Sequence, residues 1–456
     1  MAARRRRPSA TGGLAVLLAI AAGCGNIPAD RADPTSAVTP TPATAGSPSN
    51  PGSPSITGSA APDTSPALGD LLDPGATSVR LTPPPGGSFL VRGRYPWAPT
   101  TCRDPEPTTL TGRFPGTLHI RRAGDGTLSL TIALPFDRYL EGIAEVPSSW
   151  PRAALDAQVI AARSYALATT GWSGEEGESL GPAICATASC QVYRGIPVPP
   201  DPTYRRWVRA VRRTDGLVLL SGGRPATTVY FSTSNGRTYG NEDVFGSSPL
   251  PYLRPVVERD DGASPTSRWR VRLPFGDLTR IFRAAGDWPR GRAIVAARPV
   301  AGGVRFRGGG ATLTVASDDL RDTVNTWAPC LEPASYPPRV EGGRLPLTIP
   351  SRWLRFSAPD RALVVTGRGW GHGAGMVQWG AYGKAKAGRS AEEILGFYYG
   401  GLRPQRYAEP GLIRVELATG LVDLRIEASD AGAEIEGHPL PGPVRISGRP
   451  RLDIRG

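Results

Sequence analysis

The chain has 456 residues, of which 53 are basic, 40 are acidic and 39% are hydrophobic, and its formal net charge is +13. This length is enough for two domains, or for one large domain with an appendage, and a sizeable core is feasible. The positive charge suits an anionic polymer outside the cell. However, Lys384 and Lys386 are the only lysines, so the arginine excess also fits a general compositional preference, and we do not infer nucleic-acid binding.

The first residues have the pattern of an export signal. Arg4–Arg7 precede an apolar stretch from Leu14 to Ala22, which ends at Gly23 and Cys24. The stretch is shorter than the roughly 20 residues that a spanning helix needs. A cysteine directly after small residues resembles a bacterial lipobox, so we predict a lipoprotein-type signal peptide over 1–23 and acylation of Cys24, which would hold the protein to the outer face of the membrane. The alternative is that Cys24 belongs to a discarded leader.

Residues 24–82 predict a disordered tether. They are rich in proline, serine, threonine, alanine and glycine and contain almost no large apolar side chain. Such a segment cannot bury enough surface to offset the entropy of folding. Its prolines favour an extended chain, which would place the folded part some way out from the membrane.

Four cysteines follow Cys24, and an even number in an exported chain indicates two disulfides. The simplest pairing joins Cys185 to Cys190 and Cys102 to Cys330. Closely spaced cysteines can instead hold zinc, but no histidine lies near Cys185 or Cys190 in the sequence. We therefore favour disulfides over zinc and expect no metal and no cofactor.

The folded part begins with residues 83–133, which predict strands. Apolar and polar residues alternate there around Gly124–Gly126, a pattern typical of a β-hairpin. The apolar residues on one side of the alternation are Leu118, Ile120, Leu128, Leu130 and Ile132.

The segment Pro135–Pro147 predicts a short helix with Glu145 at its carboxyl end. The helix dipole disfavours a negative charge there, and covering by apolar neighbours such as Trp150 would act in the same direction. Both effects would raise the pKa of Glu145, and a carboxyl that stays protonated near neutral pH is what a general acid for glycosidic-bond cleavage needs. The alternative is that Glu145 caps the helix or pairs with an arginine.

Pro151 to Thr170 predicts a longer helix, because a proline begins the segment, no glycine or further proline interrupts it, and Gly171 follows. Apolar residues cover nearly all of its faces, so we expect this helix to be central. Arg163 is an exception on it. A buried arginine must be paired, so Arg163 either holds a structural carboxylate or faces a polar cleft.

Two polar loops follow along the chain. Leu217–Leu220 and Ala226–Ser232 read as a hairpin that delivers the loop Ser232–Gly236, and polar loops at strand ends are common places for sites. In Gly369–Ala381, many glycines surround His372, which allows close backbone approach and exposes N–H groups. Its two tryptophans and Gln378 suit a glycan. A structural role is the alternative for His372.

Near the end of the chain, Ser390 and Glu393 predict a capping box at the start of an apolar helix that stops at Gly400–Gly401. Residues 404–456 alternate as short strands and predict a small strand-rich tail.

Three blocks, in this order, resemble the SpoIID/LytB domain family of bacterial wall proteins. They are Glu145–Ala166, Tyr230–Thr238, and Gly371–Ala381 with the pairs Ile394-Leu395 and Tyr398-Tyr399. The segment from Cys185 to Gly195 also fits, and the resemblance covers roughly residues 130–402. Asn235 stands where the family often has glycine.

The resemblance implies an α+β fold, with a SpoIID-like domain over 134–403 in which mixed strands surround a buried helix, between strand-rich segments at 83–133 and 404–456. It implies lytic transglycosylase activity on peptidoglycan glycan strands, with Glu145 as catalytic acid. Some members of the family resemble enhancers of a separate wall amidase instead. Such an amidase would then be a partner of this protein. The protein would be extracytoplasmic and face the cell wall. The expected substrate-binding residues are Arg163, Tyr165, Ser232, Ser234, Asn235, His372 and Gln378.

Overall fold

The computed structural model describes residues 75–95, 109–174, 183–340, 343–440, 442–449 and 451–455. The predicted signal peptide, Cys24, most of the predicted tether and Cys102 lie outside these residues.

Helices of the described ranges begin and end at local sequence signals. They are α1 (Phe136–Glu141), α2 (Arg152–Thr170), α3 (Tyr204–Arg213), α4 (Asn241–Phe245), α5 (Phe275–Ala285), α6 (Ser317–Leu331), α7 (Gln378–Lys386) and α8 (Ala391–Tyr398). A proline precedes α1 and α2, and its fixed φ suits a first turn. Gly171 ends α2 in the left-handed conformation, and the Ser390–Glu393 capping box that begins α8 is confirmed.

Strands occupy more of the described chain than helices do, and the fold is α+β, as predicted. In the first half they are β1 (Ser78–Thr82), β2 (Phe89–Arg94), β3 (Thr109–Phe114), β4 (Thr117–Arg122), β5 (Leu128–Pro135), β6 (Ile184–Cys185), β7 (Leu217–Ser221), β8 (Arg224–Pro225) and β9 (Tyr230–Phe231). The next are β10 (Trp269–Pro274), β11 (Ala296–Val300), β12 (Gly303–Gly308), β13 (Ala311–Ala316), β14 (Arg339–Val340), β15 (Gly343–Arg344), β16 (Leu354–Ser357), β17 (Ala362–Gly367) and β18 (Met376–Val377). The last are β19 (Pro404–Arg406), β20 (Leu412–Leu421), β21 (Asp423–Ala428), β22 (Glu434–Ile435), β23 (His438–Pro439), β24 (Val444–Ser447) and β25 (Asp453–Arg455).

The two largest sheets are built jointly by the N-terminal and C-terminal strands. One has the order β23-β22-β1-β4-β5-β20-β6 and the other β25-β24-β21-β2-β3. The predicted hairpin is confirmed as β4 and β5, whose inward apolar residues are buried. Two boundaries differ from the prediction. The last five residues of the predicted tether form β1, with Val79 and Leu81 in the core, and the predicted tail pairs with the N-terminal strands instead of standing apart.

Helix α2 lies at the centre of the main core, as predicted. Fourteen of its 19 residues are buried, and it packs against α3, α7, α8 and β7. Small side chains make this possible, because its alanines allow other elements to approach closely on every face. No helix among the described ranges is both long and apolar enough to cross a membrane.

A second core lies within residues 269–365, which the chain inserts between the two loops predicted to form the site. The sheet β10-β17-β16, the sheet β11-β12-β13 and helices α5 and α6 enclose this core. We call residues 268–368 the inserted lobe. The strands and helices of this lobe carry ordinary amphipathic patterns that give no sign of a separate core. Residues 134–403 were therefore predicted as one domain.

Candidate active site

Glu145 lies in a loop after α1, not at the end of a helix as predicted. The helix ends at Glu141, and Ile143 then forms a β-bridge with Tyr193. The Ala144 N–H donates to the Val192 carbonyl at 2.9 Å, and the Val192 N–H donates to Glu145 Oε1 at 2.6 Å. This pair of hydrogen bonds across two segments fixes one oxygen of the carboxyl.

The other carboxyl oxygen, Oε2, is buried, and no hydrogen bond of ordinary geometry reaches it among the described residues, although the Gln378 and Tyr230 side chains lie close enough to interact with the carboxyl. Burial raises the pKa of Glu145 to about 7, while the Val192 N–H and the nearby Gln378 and Tyr230 side chains act to lower the pKa. This is the direction that the sequence predicted. Its cause is desolvation alone, because the helix whose dipole was expected to contribute stops four residues earlier.

A buried hydrogen-bond network lies beside Glu145. The Tyr230 hydroxyl donates to Gln191 Oε1 at 2.6 Å, and Gln191 Nε2 donates to the Tyr139 hydroxyl at 3.0 Å and to the Ala162 carbonyl at 3.1 Å. The network joins β9, α1 and α2 beside the acid. Tyr230 and Gln191 were not selected as site residues from the sequence, although both lie within segments that resemble the family.

A disulfide joins Cys185 to Cys190, as predicted, and lies just before the residue that holds Glu145. The disulfide loop is attached to the sheet, because β6 pairs with β20 and the Tyr193 N–H donates to the Ala186 carbonyl at 3.0 Å. The disulfide loop before Val192 and the hydrogen bond made by Tyr193 after it thus both help to position Val192. Cys330 is also disulfide-bonded, and its predicted partner Cys102 lies outside the described residues.

Gln378 is the first residue of α7 and lies close to the Glu145 carboxyl. It is buried, its Nε2 atom lies 3.4 Å from Gln158 Oε1 on α2, and it is close enough to Glu145 to lower the pKa of that carboxyl. Tyr165, also on α2, is buried, and the charge of Glu145 contributes to raising its pKa, after the larger effect of burial. Both residues are therefore placed near Glu145.

The glycine-rich segment 369–375, here called the glycine loop, lies against β9. At Gly375 φ is +73°, and a Cβ atom would stand 2.0 Å from the Val229 carbonyl oxygen, so only glycine fits. Beyond this loop, β18 pairs with β9 in parallel. The predicted return strand of the hairpin is interrupted, since β8 ends at Pro225 and β9 begins at Tyr230. This break lets β9 pair with β18.

His372 fastens the glycine loop to β9. Its Nε2 lies 2.9 Å from the Tyr230 carbonyl oxygen, and its Nδ1 accepts from the Ala374 N–H at 3.1 Å. This arrangement requires the tautomer with a proton on Nε2. Burial lowers the pKa of His372 to about 4, so the ring is neutral. These contacts fit the alternative of a structural role for His372.

The serine-rich loop after β9 is held mainly by its own network. The Ser234 N–H and hydroxyl both donate to Asp261 Oδ2 at 2.7 Å, and Ser232 Oγ lies 3.1 Å from the Thr233 hydroxyl. Asn235 Nδ2 donates to the Tyr239 hydroxyl at 2.7 Å, while its Oδ1 is buried without a partner among the described residues. Of these predicted site residues, Asn235 has free acceptor capacity.

Arg163 lies on the side of α2 where it meets β7 and α3. Its side chain is 1% exposed, its Nε lies 2.5 Å from Glu409 Oε1, and its Nη1 donates to the Thr214 carbonyl at 2.6 Å. Of the two alternatives left open by the sequence, the structure shows the paired carboxylate. It does not bring Arg163 together with the other predicted site residues.

Comparisons with known proteins agree on one family. The family model described as "SpoIID: Stage II sporulation protein" matches residues 124–220. Stage II sporulation protein D of Bacillus subtilis is 26% identical over 280 residues, which are 59% of this chain and 74% of the relative. The amidase enhancer of Bacillus subtilis is 28% identical over 292 residues, which are 56% of this chain and 38% of the relative. An uncharacterised protein of Brachyspira hyodysenteriae is 28% identical over 285 residues, covering 60% of this chain and 68% of the relative.

The matched region includes the loop that carries Glu145, helix α2 and the disulfide segment. The relatives extend the similarity over more than half of the chain. Taken together, the family match over residues 124–220 and these relatives support the resemblance to the SpoIID/LytB domain family.

Proposed function

We propose that this protein cleaves the glycan strands of peptidoglycan by a lytic transglycosylase mechanism, with Glu145 as its single catalytic acid and base. The observation that carries the proposal is the state of the Glu145 carboxyl. One oxygen is fixed by the Val192 N–H, the other is buried without a described partner, and the pKa is raised to about 7. A carboxyl with such a pKa can both give and take a proton near neutral pH.

The reaction needs one proton transfer in each direction. Glu145 donates its proton to the glycosidic oxygen, and the bond from that oxygen to the anomeric carbon breaks through an oxocarbenium-like transition state. The carboxylate then takes the proton of the 6-hydroxyl of the same muramic residue, whose oxygen bonds to the anomeric carbon. The product carries an anhydro ring, no water is consumed, and Glu145 is again protonated.

A mechanism with one carboxyl is supported by the positions of the neighbouring acids. Glu141, at the end of α1, lies 2.8 Å from Arg138 Nη1 and 3.8 Å from Arg212 Nη2, and these ion pairs hold it. Asp137 is exposed on the same helix. Hydrolytic glycosidases generally use a second carboxylate for the nucleophile or for the base. An internal hydroxyl as nucleophile removes that requirement.

The test is mass spectrometry of the products that the full-length protein forms from purified glycan strands, with and without stem peptides. We expect anhydro-muramyl ends from the native protein and from the control Asp137→Asn, which removes an exposed carboxylate of the preceding helix. Glu145→Gln should lower their formation by at least about 10²-fold, since it loses the transferable proton. Reducing ends would identify a hydrolase, and equal activity of Glu145→Gln would overturn the role of Glu145.

A second function is supported by one relative, which is named an amidase enhancer. In this alternative the protein binds wall glycan and stimulates a separate N-acetylmuramoyl-L-alanine amidase without breaking a bond itself. The two functions differ in their requirement for Glu145. Absence of any cleavage, together with stimulation of a wall amidase that survives Glu145→Gln, would favour the enhancer.

The proposal includes a location outside the cytoplasm. Proteins of this family act at the cell wall, which is where the glycan substrate lies. The export-signal pattern that ends at Cys24 supports attachment by acyl chains to the membrane, from which the proline-rich segment would extend towards the wall. The mass of the mature protein tests this: a lipid-modified Cys24 at its N-terminus is the expected result, and cleavage at another residue without lipid would contradict it.

A further inference from the structure

An open groove of about 890 Å³ lies on the inserted lobe, next to the glycine loop. Asn235 and Trp353 line it, and no aspartate or glutamate does. The other lining residues include five arginines, namely Arg268, Arg270, Arg352, Arg355 and Arg368.

The sheet register explains why these arginines lie together. Arg270 on β10 and Arg355 on β16 are both paired with Thr366 on the central strand β17. All three therefore point to the same face of the sheet, and the two arginines stand about 10 Å apart, two strand spacings. The opposite face carries Val271, Leu273 and other residues of the second core. Arg268, Arg352 and Arg368 lie beside the ends of these strands and extend the row.

These arginines lack the ion pairs that several other surface arginines form. All five are exposed, and in the described part of the chain none of them forms an ion pair. By contrast, Arg94 pairs with Asp423, and Arg280 pairs with both Asp277 and Glu332. A row of like charges without counter-charges concentrates positive potential in the groove, and an anionic ligand would relieve the repulsion. The guanidinium fork suits carboxylate and phosphate equally well.

An aromatic surface lies beside the arginines. Trp353 is partly exposed and stacks on Tyr239 with a ring separation of 5.7 Å and an interplanar angle of 14°. The ring is held rigidly, because it also packs against Phe231 at 6.3 Å. Flat aromatic faces are common stacking surfaces for sugar rings. The groove therefore offers both charge recognition and a sugar platform.

We propose that this arginine groove binds an anionic glycan, a sugar chain that carries carboxylates or phosphates. Its sugar rings would stack on Trp353 while its acidic groups are bound by Arg270, Arg355 and their neighbours. This binding is independent of the chemistry at Glu145. It would concentrate the protein on acidic wall polymer whichever of the two functions above it performs.

The test is titration calorimetry of the full-length protein with polygalacturonate, phosphorylated dextran, neutral dextran and polyglutamate. We expect at least one charged glycan to bind, neutral dextran not to bind, and affinity to fall with added salt. The double variant Arg270→Gln/Arg355→Gln should bind at least tenfold more weakly. The matched control Arg298→Gln/Arg305→Gln removes two exposed arginines of the other sheet of the inserted lobe and should change affinity less than about twofold.

The outcomes separate the possible explanations. Binding of one charged glycan and not the other assigns the source of the charge to carboxylate or to phosphate. Equal loss in both double variants would show general charge attraction, and polyglutamate binding as tightly as polygalacturonate would show that sugar is not recognised. Either result, or no binding of a charged glycan, overturns the proposal. Unchanged binding by Glu145→Gln keeps this result separate from a failure of the proposed catalysis.

Discussion

At Glu145, burial and the opposing hydrogen bonds of neighbouring groups together set the proton affinity of the carboxyl. The pKa of about 7 predicts how the proposed cleavage depends on pH. Activity should be nearly constant below pH 7 and fall about tenfold per pH unit above it, because the acid loses its proton. A pH–rate profile measures this, and a profile flat to pH 9 would contradict Glu145 as the acid.

Gln378 offers a way to move that profile. Its side chain lowers the pKa of Glu145, so Gln378→Ala should raise this pKa and shift the descending limb to higher pH, without removing the acid. The shift separates a positioning residue from a merely structural one, because general unfolding would lower activity at all pH values alike. Gln405→Ala, on the exposed strand β19, is the control and should leave the limb in place.

The raised pKa of Glu145 also has a stability consequence. Its folded-state pKa of about 7 lies above the ordinary value of 4.5 for a glutamate, so the folded state binds the proton more tightly than the unfolded chain. This contribution is present below pH 4.5 and is lost as pH rises through 7. Glu145→Gln should therefore raise the free energy of unfolding at pH 8 by roughly 1–3 kcal/mol, with little change at pH 4.5. Denaturant titrations at both pH values measure the difference.

Among the elements, the glycine loop depends most on its exact backbone. Gly375→Ala should destabilise the protein by more than about 2 kcal/mol, because the added Cβ would meet the Val229 carbonyl at 2.0 Å. Gly302→Ala is a matched control, since φ there is +71° and nothing lies within 4 Å of the added carbon. It should cost only about 1 kcal/mol. Equal losses of unfolding free energy would show that the close approach is unimportant.

Elements with local signals were predictable from the sequence. Helix α2 is bounded by Pro151 and Gly171, and the hairpin β4–β5 by alternation around Gly124–Gly126, so neighbouring residues were enough to predict them. The end of α1 was not predictable in this way. It stops at Glu141 because the following residues bond to the segment at Tyr193, some 50 positions later in the chain. For Glu145 the predicted direction of the pKa shift agrees with the structure, but the predicted local structure does not.

At the scale of the whole molecule, the sequence did not reveal which strands pair with each other. Alternation shows that a segment is a strand, but not that β20 pairs with β5 or that β21 pairs with β2. The same limit applies to the arginine groove, whose residues come from three strands and become neighbours only through the register of the sheet.

The shared sheets predict the effect of truncation. Removal of residues 404–456 would expose the hydrogen-bonding edges of β5 and β2, because β20 and β21 pair with them, and it would remove buried residues such as Val415 and Ile426 from the main core. We expect the shortened chain to be insoluble or unfolded by circular dichroism, even though the family model matches only residues 124–220. A soluble, cooperatively folding chain ending at residue 403 would contradict this.

The position of the Cys185–Cys190 disulfide has a consequence for when the protein becomes active. The covalent loop closes two residues before Val192, whose N–H holds the Glu145 carboxyl. Disulfides form in oxidising compartments and are rare in the cytosol. A newly made chain would therefore lack the full support of its acid until after export. The site around Glu145 would then be completed only when the disulfide forms outside the cytoplasm, and the protein would lack this support during its synthesis.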